Sequence, residues 1–136
     1  MNYWLLKSDP ETYSWDSLAK DKTTIWDGIR NYQARNNLQL MKKGDIALFY
    51  HSNQGMNIVG QVIVSKEAYN DPSTDDLRWY VIDITLDQKF PNTIALSEMK
   101  SNSKLQNIGL IKQSRLSVMP LTIDEYFEIY NICNLK

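Results

Sequence analysis

The sequence predicts an α+β domain: a small, strongly curved sheet or barrel with helices packed around it. Three observations carry this. Several β-favouring segments follow one another with few helices between them. Helical spacing is confined to one stretch after residue 31 and to the C-terminal segment. Strands and helices do not alternate as βαβ units. The 136 residues fit a single domain over 1–136, and a composition of 43% hydrophobic, 23% charged and 11% aromatic residues suits a packed core.

Each element has a local reason. Tyr3–Leu6 reads as a first strand, because aromatic side chains fit a pleated surface, and Pro10 bars its continuation. Ser14 is placed to cap a short helix through Leu18, with Asp16 in its first turn. A second helix is expected over Asn31–Met41, where Ala34, Leu38 and Met41 share a face, and Lys42-Lys43-Gly44 closes it. Ile46–Tyr50 is apolar on both alternating faces, as in a strand buried between layers. Ser52-Asn53-Gln54-Gly55 is turn chemistry. Ile58–Val64 is the next strand, with Gly60 marking a bulge or a close backbone approach. An acidic loop begins at Asn70-Asp71-Pro72-Ser73, and Trp79–Leu86 forms a long strand. Leu96–Gln106 is irregular or weakly helical, and Arg115–Met119 is a last strand. Thr122 and Glu125 form a capping box for a C-terminal helix. Its apolar stripe is expected to hold Ile123, Tyr126, Phe127, Tyr130 and Cys133.

Composition excludes several classes. One cysteine permits no internal disulfide, and one histidine with one cysteine makes no Cys/His zinc site. No metal or cofactor is expected. No apolar run approaches the ~20 residues of a membrane span, and the N-terminus lacks a signal-peptide pattern, so no membrane partner and a cytoplasmic location are expected. A nucleophilic pair could use only Cys133 and His51, and Cys133 falls on the core-facing stripe of a helix. No GxSxG elbow and no glycine-rich phosphate loop occurs. The composition therefore speaks against an enzyme.

The formal net charge is −1, which argues against a polycation that coats nucleic acid. The charge is nonetheless segregated. Gly28–Lys66 holds five basic residues against Asp45 alone, Glu67–Asp87 is acidic apart from Arg78, and Gln88–Arg115 is basic again apart from Glu98. Were the two basic stretches to share a face, that face would suit a phosphate backbone.

Trp26-Asp27-Gly28-Ile29-Arg30-Asn31 is the segment most suggestive of a pocket. Tryptophan offers a flat base a stacking surface, Asp and Asn read its edges, and arginine at a helix start suits a phosphate. The alternative reading puts Trp26 in the core, Gly28 in a turn and Asn31 at the helix cap.

Ordered motifs then cover the chain almost end to end: YWLLKSDPETYSWDSL from Tyr3, WDGIRNYQARNNL from Trp26, MKKGDIALFYHS from Met41, FPNTIALSEMK from Phe90 and RLSVMPL from Arg115. Together they resemble the EVE domains of the PUA-like superfamily, to which YTH and ASCH domains also belong. The resemblance implies a PUA-like curved β-barrel or pseudobarrel. It also implies a non-enzymatic module that recognises a modified nucleobase in DNA or RNA, in an aromatic and polar pocket. Leu6-Lys7-Ser8 and Trp26-Asp27 look similar to motifs with which YTH domains hold an extruded methylated base.

Carried over by motif, Trp26 would stack on the base and Asp27 read an edge. Lys7 and Ser8 would line the floor or touch the adjacent backbone. Arg30 and Asn31 would hold a phosphate or orient the loop, and Phe49, His51 and Ser52 would close another wall. Asp9, where the family more often has Glu, and Pro10 would shape the neighbouring loop. Asp71 and Pro72 would border the mouth, and Arg115 and Ser117 match the family's last motif. Two other functions compete with this one: an enzyme acting on nucleic acid or a nucleotide, which needs Asp27 and His51 together, and a protein-interaction module using Trp15 or Trp79. Any catalytic partner is expected to be a separate chain.

Overall fold

The computed structural model describes residues 1–135. Eleven elements follow in order: β1 (Tyr3–Ser8), α1 (Trp15–Asp21), β2 (Thr23–Trp26), α2 (Tyr32–Leu40), β3 (Ile46–His51), β4 (Asn57–Asn70), β5 (Tyr80–Ala95), α3 (Leu96–Lys100), α4 (Gly109–Lys112), β6 (Val118–Leu121) and α5 (Ile123–Asn134). The architecture is α+β. One six-stranded sheet runs β2-β5-β4-β3-β1-β6, with β1 parallel to β3 and every other pair antiparallel. The ladder leaves β2 and β6 as edges and does not close hydrogen bond by hydrogen bond into a barrel.

The expected caps form. Ser14 accepts from the Ser17 amide at α1, and Thr122 and Glu125 bond reciprocally at α5. Ala34, Leu38 and Met41 are buried on one side of α2. Gly60 stands where the sequence places a close approach. A Cβ there would lie 2.5 Å from the Trp15 ring and 2.6 Å from the Gln88 carbonyl oxygen, and the register of β4 against β5 shifts beside it.

Three expectations need correction, and one strand has no counterpart among the expected elements. Thr23–Trp26 is a strand that pairs with β5 from Thr85 to Ile82. Strands β4 and β5 run on to Asn70 and Ala95 through register shifts that absorb their charged residues. The last strand starts at Val118, not Arg115, because the Leu116 amide closes a turn on the Gln113 carbonyl. On α5, Ile123 and Phe127 are 57% and 43% exposed, and the buried side is Tyr126, Ile129 and Cys133. These fall at i, i+3 and i+7, so the stripe lies slightly round the helix from its expected place. Helix α5 packs on β5. Desolvation pushes the Cys133 thiol up to about 12, which leaves it an inert buried group.

Asp45, the lone acid of the first basic stretch, is buried and accepts from the Asn2 amide, the Trp4 indole and the Lys42 amide at 3.0–3.1 Å. Burial pushes its carboxyl up, and these hydrogen bonds outweigh that and hold it below the usual range. It thereby ties the N-terminus to the turn that enters β3.

Candidate nucleobase cavity

A solvent-open cavity of about 530 Å3 lies between the end of β1, the loop that follows it, β2 and the start of the Asp27–Asn31 loop. That volume is within the ~300–1,000 Å3 typical of ligand clefts. Among the residues expected at the site, it is lined by Lys7, Ser8, Asp9, Trp26, Asp27 and Ser117. Thr12, Tyr13, Thr24, Ile25, Gly28 and Ile29 complete the lining. Gly28 and Ile29 lie inside the quoted Trp26 motif. Tyr13 carries a weaker signal: it is the aromatic between Pro10 and the Ser14 cap. Thr24 and Ile25 depend on β2, whose four residues are too few to announce a strand.

Trp26 belongs to the core and also lines the cavity. It is only 7% exposed, wedged edge-on against Phe49 (ring centroids 5.7 Å apart) and Tyr13 (6.5 Å), yet part of it faces the cavity. Gly28 has φ +76°, the left-handed backbone that glycine adopts without strain, and it turns the chain out of β2. Asn31 is the cap of α2, its side chain accepting from the Ala34 amide at 2.9 Å.

The loop after β1 is held from several sides. Asp9 accepts from the Glu11 amide with one oxygen and from the Asn53 side chain with the other, at 2.9 and 2.8 Å. Its carbonyl takes the Thr12 and Tyr13 amides. The Ser8 hydroxyl donates to the Tyr13 carbonyl at 2.5 Å. Tyr13 in turn donates its hydroxyl to Asp21 at 2.8 Å. Asp9 and Ser8 are thus committed to the wall. Asp27, exposed at the rim, makes no side-chain hydrogen bond among the described residues and is free to accept from a ligand. Lys7 donates to the Ser114 carbonyl at 2.7 Å, and partial burial lowers its pKa from the ordinary lysine value.

Several expected residues lie outside this lining. Phe49 is fully buried behind Trp26 and also meets Trp15 edge-on. His51 accepts the Trp15 amide on Nε2 at 3.0 Å, which anchors the start of α1, and the Ser52 amide donates to the Ser8 carbonyl at 2.9 Å. These three support the cavity wall from behind. Arg30 points away to Asp71, with 3.0 Å between Nη1 and Oδ2, and lies over the Trp79 ring at 5.4 Å. Burial pushes the Asp71 carboxyl up, but bonds from Ser73 and Arg30 outweigh it and hold it below the usual range. This pair fixes the loop after Gly28 against the β4–β5 connection, where Pro72 is exposed. Pro10 lies in the loop after β1 beside Asp9, and Arg115 opens on a second hollow near the N-terminus of α2. Among the described residues no cluster of three or more His, Cys, Asp or Glu side chains could hold a metal ion. No helix among them is long and apolar enough to cross a membrane.

Fold and site together define a class: a small α+β domain with an aromatic and polar cleft open to solvent. The chain belongs to the EVE domain family, whose model matches residues 2–132. Thymocyte nuclear protein 1 of Mus musculus is 37% identical to it, over 92% of this chain and 70% of that protein. A crystal structure of an Agrobacterium tumefaciens protein is 42% identical with a TM-score of 0.95, covering 99% of this chain and 94% of the other. The crystal structure of human THYN1 protein in complex with 5-methylcytosine containing DNA is 34% identical with a TM-score of 0.92, covering 100% and 99%.

Proposed function

We propose that this protein is a non-enzymatic module that binds a modified nucleobase in DNA or RNA, with 5-methylcytosine in DNA as the leading ligand. The carrying observation is a cleft lined by Trp26, Tyr13, Asp27 and Lys7 in a chain similar over its whole length to human THYN1, which has been seen bound to 5-methylcytosine containing DNA. The base would enter from an unpaired strand or by flipping, at a cost of a few kcal/mol. Contact with Trp26 and Tyr13 would offset part of that, at ~1–3 kcal/mol per stacked base. Asp27 would accept from the exocyclic amine of cytosine, the pairing that carboxylates make with that group. The 5-methyl group would face Ile25, Ile29 and Trp26. Arg30, Asn31, Phe49, His51, Ser52, Pro10, Asp71 and Pro72 act in this reading by holding the walls, not by touching the base.

The sheet is inferred to curl as a pseudobarrel. Thr24–Trp26 on one edge strand and Ser117 beside the other line the same cavity, and that shared lining supports this reading. The catalytic alternative loses its geometry: Asp27 is at the cavity while His51 lies outside its lining with Nε2 engaged by Trp15. The interaction-module alternative loses its surface, since Trp15 and Trp79 are buried. Any chemistry on the bound strand would fall to a partner enzyme in a separate chain. For the compartment, the cytoplasm is kept as the proposal; the name of the vertebrate relatives points instead to the nucleus, and imaging of a tagged protein decides between them.

The test is equilibrium binding of matched oligonucleotides, DNA and RNA in parallel, with and without the modification. One buried methyl, at about 0.8 kcal/mol, predicts about fourfold tighter binding of the 5-methylcytosine strand. Equal affinity for modified and plain strands would overturn the proposal.

A further inference from the structure

A second hollow, of about 300 Å3, opens between the N-terminus of α2 and the 112–116 segment. Its lining includes Asn31, Gln33, Lys112, Gln113, Ser114 and Arg115 and holds no carboxylate. Lys112 and Arg115 are exposed, and neither belongs to an ion pair among the described residues, where the pairs are Arg30–Asp71, Arg78–Asp76 and Lys104–Glu128. Helix α2 carries no acidic residue in its first turn, so the positive end of its dipole is not neutralised there. Two cations, side-chain amide donors and a helix start face one hollow from which acids are absent. Both cations come from the second basic stretch of the sequence, and the first contributes the neutral Asn31 and Gln33.

The hollow shares a wall with the nucleobase cavity. Lys7 lines the cavity, and its ammonium holds the Ser114 carbonyl at 2.7 Å; Ser114 lines the hollow. Both connecting segments touch both sites: Ile29 then Asn31 on one side, Leu116 then Ser117 on the other. The lining positions are two residues apart on the first segment and adjacent on the second, so the two sites adjoin.

We propose that this hollow binds the backbone phosphate of the nucleotide next to the base held in the cavity, with Lys112 and Arg115 as the charged contacts. The inference rests on the base-binding reading above. It assigns affinity and selectivity to different residues: the cavity reads the base, and the hollow takes a phosphate whatever the sequence. It also accounts for how a chain of net charge −1 approaches a polyanion, since the favourable field is local.

The experiment compares the full chain with Lys112→Ala, Arg115→Ala and the double variant. A Lys104→Ala variant serves as the control, since that residue is paired with Glu128. Affinity for modified and plain single strands is measured across a salt series. Each lost contact is expected to flatten the slope of log K against log salt by about 0.7 and to weaken binding about fivefold at about 0.1 M salt, or about 25-fold for the double variant. The ratio of modified to plain affinity should not change. A double variant with wild-type affinity and slope overturns the phosphate site. A wild-type ratio of one overturns the base reading instead, and leaves the salt slopes to judge the hollow on their own. A second measurement is independent of any strand: inorganic phosphate should shift the amide resonances of Gln33 and Gln113–Leu116 in the wild type and not in the double variant. Absence of those shifts in the wild type also counts against the site.

Discussion

The one histidine of the chain gives a test of the support behind the cavity. His51 Nε2 must be unprotonated to accept the Trp15 amide at 3.0 Å. Burial pushes its pKa below the ordinary value, and Asp16 pulls it back only in part. The folded chain therefore binds this proton less readily than the unfolded chain does. The resulting stability is fully present above the unfolded value of about 6.5 and is lost as pH falls through it toward the lowered folded value. Protonation turns Nε2 into a donor facing a donor, so the lost bond and the stranded amide together cost about 1–2 kcal/mol. For a domain of this size that is a fall of about 4–8 °C in Tm between about pH 7.5 and pH 5. The buried carboxylates do not interfere, because Asp45 and Asp71 are held low and lose their contribution only below the ordinary Asp value. The assay is thermal unfolding across that range for the wild type and for His51→Gln, whose amide oxygen keeps an acceptor without titrating. The wild type should lose stability on acidification, and the variant should be nearly flat over the same range. Parallel losses in the two proteins would refute the role assigned to this imidazole.

Trp26→Ala should lower stability by about 3–5 kcal/mol in denaturant titration, because the ring fills space between Phe49 and Tyr13 as well as facing the cavity. Loss of binding in that variant needs a folded-state control. Asp27→Ala should leave stability within about 0.5 kcal/mol, since its carboxylate is exposed, while weakening oligonucleotide binding. Asp45→Ala strands three donors and should cost about 2–3 kcal/mol by the same titration. Cys133, fully buried with its thiol raised to about 12, should resist a thiol reagent in the native protein and react once unfolded.

Much of the fold is legible wherever a side chain has a local job. Caps at Ser14, Asn31 and Thr122, the buried face of α2 and the close approach at Gly60 follow from residue chemistry within a few positions. Strand ends do not. Whether β4 stops at Val64 or continues to Asn70 depends on partners in β5 and on bulges between them, which no local pattern records. The site divides in the same way. The Trp26 motif and Lys7-Ser8-Asp9 line one cavity although β5, β4 and β3 stand between β2 and β1 in the sheet, so no local pattern announces their meeting. Phe49 and His51 are expected on a wall of the pocket from the motif resemblance, and the parallel pairing of β3 with β1 sets them behind it. Their side chains, however, face Trp15 and Trp26 from within. Of the two roles expected for Arg30, holding a phosphate or orienting the loop, its bond to Asp71 across 41 residues of sequence fits the second. The cations left for a phosphate come from Lys112 and Arg115, far along the chain.

The most direct measurement is a structure of the protein with an oligonucleotide carrying one 5-methylcytosine. The expected result is the modified base out of its stack and seated in the cavity, with its methyl toward Ile29 and Trp26 and its amine on Asp27. A cytosine still stacked in its strand, with the cavity filled by solvent, would contradict the proposal at its centre.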